Sequence, residues 1–111
     1  MDISFERHKN CLVVNILGDI DHHFADLVRD RIDNEAVESG AKNIVFDLSK
    51  VDFMDSSGIG MIIGRYKYTL NKGGFTAVTG LSVNLKKLML LSGLYRIIKI
   101  YDSVEAAEKA V

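Results

Sequence analysis

The sequence contains no proline, a single cysteine and no apolar run approaching the length of a membrane span. Without proline, repeats or low-complexity stretches, nothing in the 111 residues reads as a linker, and the length suits one compact domain. A chain of this size buries roughly two-thirds of its unfolded surface and needs no covalent staple. The lone Cys11 stands in a strand-like run, can make no internal disulfide and is expected to be a buried, inert thiol. An excess of one charge sign is also missing. The formal net charge of −1 argues against a general nucleic-acid or anionic-membrane binder. No apolar run exceeds four residues, the length of Leu88 to Leu91, and Met1-Asp2-Ile3-Ser4-Phe5 has no signal-peptide pattern, so a cytoplasmic protein is expected.

What is present is an alternation of strand and helix patterns. Ile3 and Phe5 alternate with polar neighbours, and Leu12 to Leu17 is nearly all apolar, as in a strand buried on both faces. Gly18-Asp19-Ile20-Asp21 breaks that run. An amphipathic helix follows, with Phe24, Leu27, Val28, Ile32 and Ala36 opposite Asp26, Arg29, Asp30 and Asp33, ending at Gly40. Ile44 to Leu48 reads as a strand, and Ile59, Ile62, Ile63, Tyr66 and Leu70 as a helix stopped by Asn71-Lys72-Gly73-Gly74. A short strand at Phe75 to Val78, a helix from Ser82 to Leu91 and a strand through Ile97, Ile98 and Ile100 come next. Asp102 and Glu105 have capping-box spacing before a closing helix. The pattern is that of an α/β domain whose later strands run parallel.

The richest segment is Met54-Asp55-Ser56-Ser57-Gly58-Ile59-Gly60, where a buried strand gives way to a helix. Ser56 or Ser57 falls in the first turn, where backbone N–H groups lack partners and a hydroxyl or an anion is welcome. A serine there is either a cap or a site built to carry a phosphate. Gly58 reads as an exposed first-turn glycine that admits a large partner, and Gly64 as a close-packing glycine one turn beyond Gly60. In parallel sheets, functional groups gather where strands feed helix N-termini. Gly18-Asp19-Ile20-Asp21-His22-His23 is a second such turn, and the two form a single surface if their strands are neighbours.

Enzyme chemistry finds little support. Gly64 comes one residue too late for a dinucleotide fingerprint, no Gly-Lys-Ser/Thr signature is present, and Met-Asp-Ser-Ser-Gly is not the Gly-x-Ser-x-Gly of a serine hydrolase. His22 and His23 diverge as neighbours, with only the distant His8 to assist them, so no metal site and no cofactor are expected. Arg65 and Lys67 are read either as partner contacts or as cations favoured by the helix dipole.

Together, Gly18-Asp19-Ile20-Asp21-His22-His23, Phe53-Met54-Asp55-Ser56-Ser57-Gly58-Ile59-Gly60, Gly64-Arg65-Tyr66-Lys67 and Ser92-Gly93-Leu94 resemble the anti-sigma factor antagonists of the STAS-domain family. The resemblance spans essentially the whole chain, and the Asp-His-His and Gly-Arg-Tyr-Lys segments are similar to the sporulation (sigma F) branch. Asp19 stands where that family carries glutamate. The resemblance implies a mixed, mostly parallel sheet of about five strands, with about four helices mainly on one side. It implies a regulatory switch rather than an enzyme. The unphosphorylated form would bind an anti-sigma serine kinase in its nucleotide-bound state and release the sigma factor. Phosphorylation at Ser56 would end that binding, and a serine phosphatase would restore it. Asp19, Asp21, His22, Asp55, Ser57, Gly58 and Gly60 are then the expected contact residues. Two alternatives stand beside this reading: a STAS-fold antagonist in another signalling pathway, and a small nucleotide-binding domain.

Overall fold

The computed structural model describes residues 2–110. Strands β1 (Asp2–His8) and β2 (Cys11–Leu17) form an antiparallel hairpin whose turn places Lys9 at φ 55°. Helix α1 (His22–Ser39), strand β3 (Asn43–Lys50), helix α2 (Ser56–Asn71) and strand β4 (Thr76–Thr79) follow. Helix α3 (Val83–Leu91), a 3-10 turn at Leu94–Arg96, strand β5 (Lys99–Tyr101) and helix α4 (Val104–Lys109) complete the chain. The sheet order is β1-β2-β3-β4-β5, parallel at every step after the first hairpin.

That order decides where the helices go. Each parallel connection steps in the same direction across the sheet, and such crossovers are right-handed. Helices α1, α2 and α3 therefore lie on one face. Strand parity follows: Leu12, Val14, Ile16, Ile44, Phe46, Leu48 and Val78 join the core under these helices. The intervening Cys11, Val13, Val45 and Ala77 face α4 through Ala107 and Val104. Covered on both faces, β2 and β3 carry the near-continuous apolar runs seen in their sequences. Cys11 is buried as expected, and burial pushes its thiol pKa up.

Several boundaries differ from the sequence pattern. Leu27 and Leu70 lie outside the buried stripes of their helices, at 57% and 58% exposure. Ala25 in α1 and Met61, Arg65 and Thr69 in α2 are buried instead, so the buried stripe of each helix is offset from its apolar stripe. The last strand begins at Lys99; Ile97 follows the 3-10 turn, and Ile98 plugs the core. The closing helix is capped by Ser103, which accepts from the Ala106 amide at 3.0 Å, so Asp102 is not its cap.

Candidate functional site

The two polar turns do share a surface. The turn after β2 and the turn after β3 emerge from adjacent parallel strands, and a parallel bridge joins Ile20 to Met54. The Ile20 amide donates to the Phe53 carbonyl, and the Asp55 amide donates to the Ile20 carbonyl, both at 3.1 Å. Ile20 and Met54 are both buried. Alternation along an extended chain then leaves Asp19 and Asp21 flanking Ile20 on the solvent side, beside Phe53 and Asp55.

The carboxylates have structural duties here. Asp19 accepts from the Phe53 amide at 3.2 Å and so fastens one turn to the other. Asp21 caps α1, accepting from the Phe24 amide at 3.0 Å; that hydrogen bond, aided by the neighbouring histidines, holds its pKa below the usual carboxylate value. Asp55 caps α2, accepting from the Ser57 and Gly58 amides at 2.9 and 3.4 Å. Neither serine fills the cap position. Ser56 is the first helical residue and is exposed, whereas Ser57 is partly buried. His22 and His23 are both exposed at the start of α1, with ring centroids 4.0 Å apart.

The glycines reverse their expected roles. Gly58 is buried, and a Cβ there would lie 2.9 Å from Met54 Cβ and 3.1 Å from Ile20 Cγ2. It is the close-packing glycine, seating α2 on the joined turns, and not an exposed one. A Cβ at Gly60 or Gly64 would meet nothing within 4 Å among the described residues. Asp55 occupies the Ser57 and Gly58 amides, so in the free chain these two N–H groups are not open to a phosphate.

The burial of Arg65 and an apolar surface are two features the sequence reading does not anticipate. Arg65 is not an exposed cation of α2: it is 8% exposed, with Nε 3.1 Å from Asp33 of α1, and burial lowers its pKa. An apolar surface also borders the serine turn, where Phe53 and Leu91 are 55% and 87% exposed around a hollow of about 370 Å³. Its signal was the run Leu88-Met89-Leu90-Leu91, since four consecutive apolar residues cannot all face one side of a helix.

The family model for the STAS domain matches residues 2–107, nearly the entire fold just described. The chain belongs to the STAS-domain family. Within it, this STAS domain is 40% identical to an anti-sigma F factor antagonist of Paenibacillus polymyxa over 93% of this chain and 88% of that protein. It is 33% identical to the anti-sigma-B factor antagonist of Bacillus subtilis over 90% of both chains. The phosphorylated form of the Bacillus cell-fate determinant SpoIIAA superposes with a TM-score of 0.76 at 24% identity, covering 99% of this chain and 100% of that one. That last likeness bears on the fold alone. Both sequence relatives are named as anti-sigma factor antagonists, and the joined turns form the candidate functional surface of this chain.

Proposed function

We propose that this chain is a phosphorylation-controlled anti-sigma factor antagonist whose switch is Ser56. Its partner is an anti-sigma factor that is itself a serine kinase: the unphosphorylated chain binds the nucleotide-bound kinase and frees the sigma factor. Transfer of the γ-phosphoryl group of ATP to Ser56 Oγ, with release of ADP, ends the association, and a serine phosphatase reverses it. The compartment is the cytoplasm, where sigma factors act. The observation that carries this reading is the exposure of Ser56 at the first turn of α2, beside a cap already supplied by Asp55. The serine is thus spared for chemistry, while Ser57 is partly withdrawn.

The switch then works through local charge. A phosphate adds about −1.5 to −2 charges at neutral pH. It would stand next to Asp55 and near the turn holding Asp19 and Asp21, and it would add bulk where the kinase must touch Ser57 and Gly60. A loss of about 3 kcal/mol would weaken binding more than a hundredfold, at about 1.4 kcal/mol per decade. His22 and the exposed carboxylates belong to the outer part of the contact, and Gly58 acts from beneath by seating the helix.

The test mixes this chain with the anti-sigma kinase of the same genome and ATP, followed by mass-spectrometric mapping. Phosphate on Ser56, with Ser56→Ala still binding and Ser56→Asp binding weakly, is the expected result. Phosphate on Ser57 would move the switch by one residue. Neither phosphate nor a complex in ADP would refute the reading. A second pathway remains distinct: one relative is named for sigma F and another for sigma B, so binding to a stress-response kinase instead would keep the mechanism and change the partner.

A further inference from the structure

A groove of about 370 Å³ runs between α1 and α2, lined by Ala25, Arg29, Ser57, Gly60, Gly64 and Arg65 among others. Neither glycine is explained by the free chain. Both have ordinary helical backbone, both have open space where a Cβ would stand, and both weaken the helix relative to alanine. A glycine with nothing above it permits something else to come close.

The second observation is independent and concerns Arg65. Its side chain is nine-tenths buried beneath this groove, and its Nε and Nη1, themselves enclosed, have no aligned hydrogen-bond acceptor among the described residues. Asp33 lies 3.1 Å from Nε and supplies charge, but it is not aligned to accept the proton. Buried donors are almost always matched, and an unmatched pair on one guanidinium calls for an acceptor. The surrounding charges narrow the kind of acceptor. Arg29 is already held by Asp26 and Asp30, both at 3.3 Å, so three carboxylates face two guanidiniums around the groove. A free anion would enter against that acidic excess. Neutral carbonyl oxygens would not, and a polypeptide backbone offers them without side-chain bulk.

We propose that the groove receives a main-chain segment of the anti-sigma partner. Its backbone lies against Gly60 and Gly64, and the Arg65 side chain turns outward from its enclosed position so that its guanidinium donates to the segment's carbonyl oxygens. The proposal rests on the partner reading above. It extends the contact from Ser57, at the mouth of the groove, two helical turns along α2 to a buried cation. Binding would thereby be sensed at a distance from the phosphorylated serine, so affinity and switching would be carried by different residues.

The test is Gly64→Leu, which fills the groove with a good helix former, together with Arg65→Lys, which keeps the charge and loses the planar fork. Binding to the nucleotide-bound kinase is measured by titration calorimetry, and folding by thermal melts. Gly64→Leu is expected to melt at or above the wild-type temperature, because its Cβ meets nothing in the free chain. Its affinity should fall about tenfold or more, a typical loss for a central interface position. Arg65→Lys should also bind more weakly, with an unchanged circular dichroism spectrum. Wild-type affinity in Gly64→Leu, with Ser56→Asp still weakened, would overturn the groove proposal and leave the switch standing. Wild-type chain that binds no kinase in any nucleotide state would overturn the partner reading, and the groove proposal with it. Gly64→Leu that alters self-association but not kinase binding would assign the groove to a second copy of this chain and likewise overturn it.

Discussion

Gly58→Ala should destabilise the protein, although alanine is the better helix former. The gain in helix propensity is at most about 1 kcal/mol. Against it stands a new methyl 2.9 Å from Met54 Cβ, 3.1 Å from Ile20 Cγ2 and 3.3 Å from Met54 Sδ. The thioether sulfur can swing away, but Met54 Cβ cannot. It is fixed to a backbone pinned on both sides, by the Ile20 amide on the Phe53 carbonyl and the Asp55 amide on the Ile20 carbonyl. Overpacking of this kind costs about 1–3 kcal/mol, which leaves a net loss of about 1 kcal/mol. Gly60→Ala on the same helix is the internal control. With open space above it, that variant should gain about 0.5–1 kcal/mol. The two variants should therefore differ by about 2 kcal/mol, or about 8 °C in thermal midpoint for a domain of this size. Parallel thermal and urea melts measure both. If Gly58→Ala proved as stabilising as Gly60→Ala, the seating of α2 on the joined turns would be wrong, and Gly58 would be the open contact glycine that its sequence setting suggests.

Three further outcomes follow from particular contacts. Asp55→Ala removes the acceptor of the Ser57 and Gly58 amides and should cost about 1 kcal/mol in urea melts; Asp55→Asn should recover most of it, and equal losses in both variants would refute the capping role. Phosphorylated Ser56 places an anion at a helix N-terminus, where it is favoured by about 0.3–1 kcal/mol when exposed, so circular dichroism should show α2 intact, and a substantial loss of helical signal would sink the local-charge account of switching. His8 Nδ1–H donates to the Glu108 carboxylate at 2.8 Å, with Glu6 at 3.4 Å from Nε2, and the Glu108 hydrogen bond raises the His8 pKa above 6.5. Because the folded value lies above the unfolded one, the stabilisation is fully present below about pH 6.5 and is lost as pH rises through the folded value; an NMR titration placing His8 at or below 6.5 would refute the clasp between β1 and α4.

Much of this architecture was legible in the chain itself. The period-2 and period-3.6 apolar patterns, the break at Gly18 and the stop at Gly40 mark β2, α1 and their order, because burial and backbone freedom are local properties of residue type. The Asp-Ser-Ser-Gly turn was legible for the same reason: a helix start needs acceptors, and few residues supply them. What local pattern could not decide was which acceptor caps the helix. Asp55, Ser56 and Ser57 all have the chemistry, and only the path of the chain over Ile20 places Asp55 at the cap and turns Ser56 outward.

The sequence by itself determined the class of fold, the family to which it belongs and the position of the serine turn, since each depends on residue type and order along the chain. The tertiary structure alone decided the roles of the glycines, the burial of Arg65 against Asp33 and the exposure of Phe53 and Leu91 beside the serine turn. Those are relations between elements brought together by the crossovers. A glycine carries no mark of whether a neighbouring strand or open solvent lies above it, so its meaning is set by what the fold puts there.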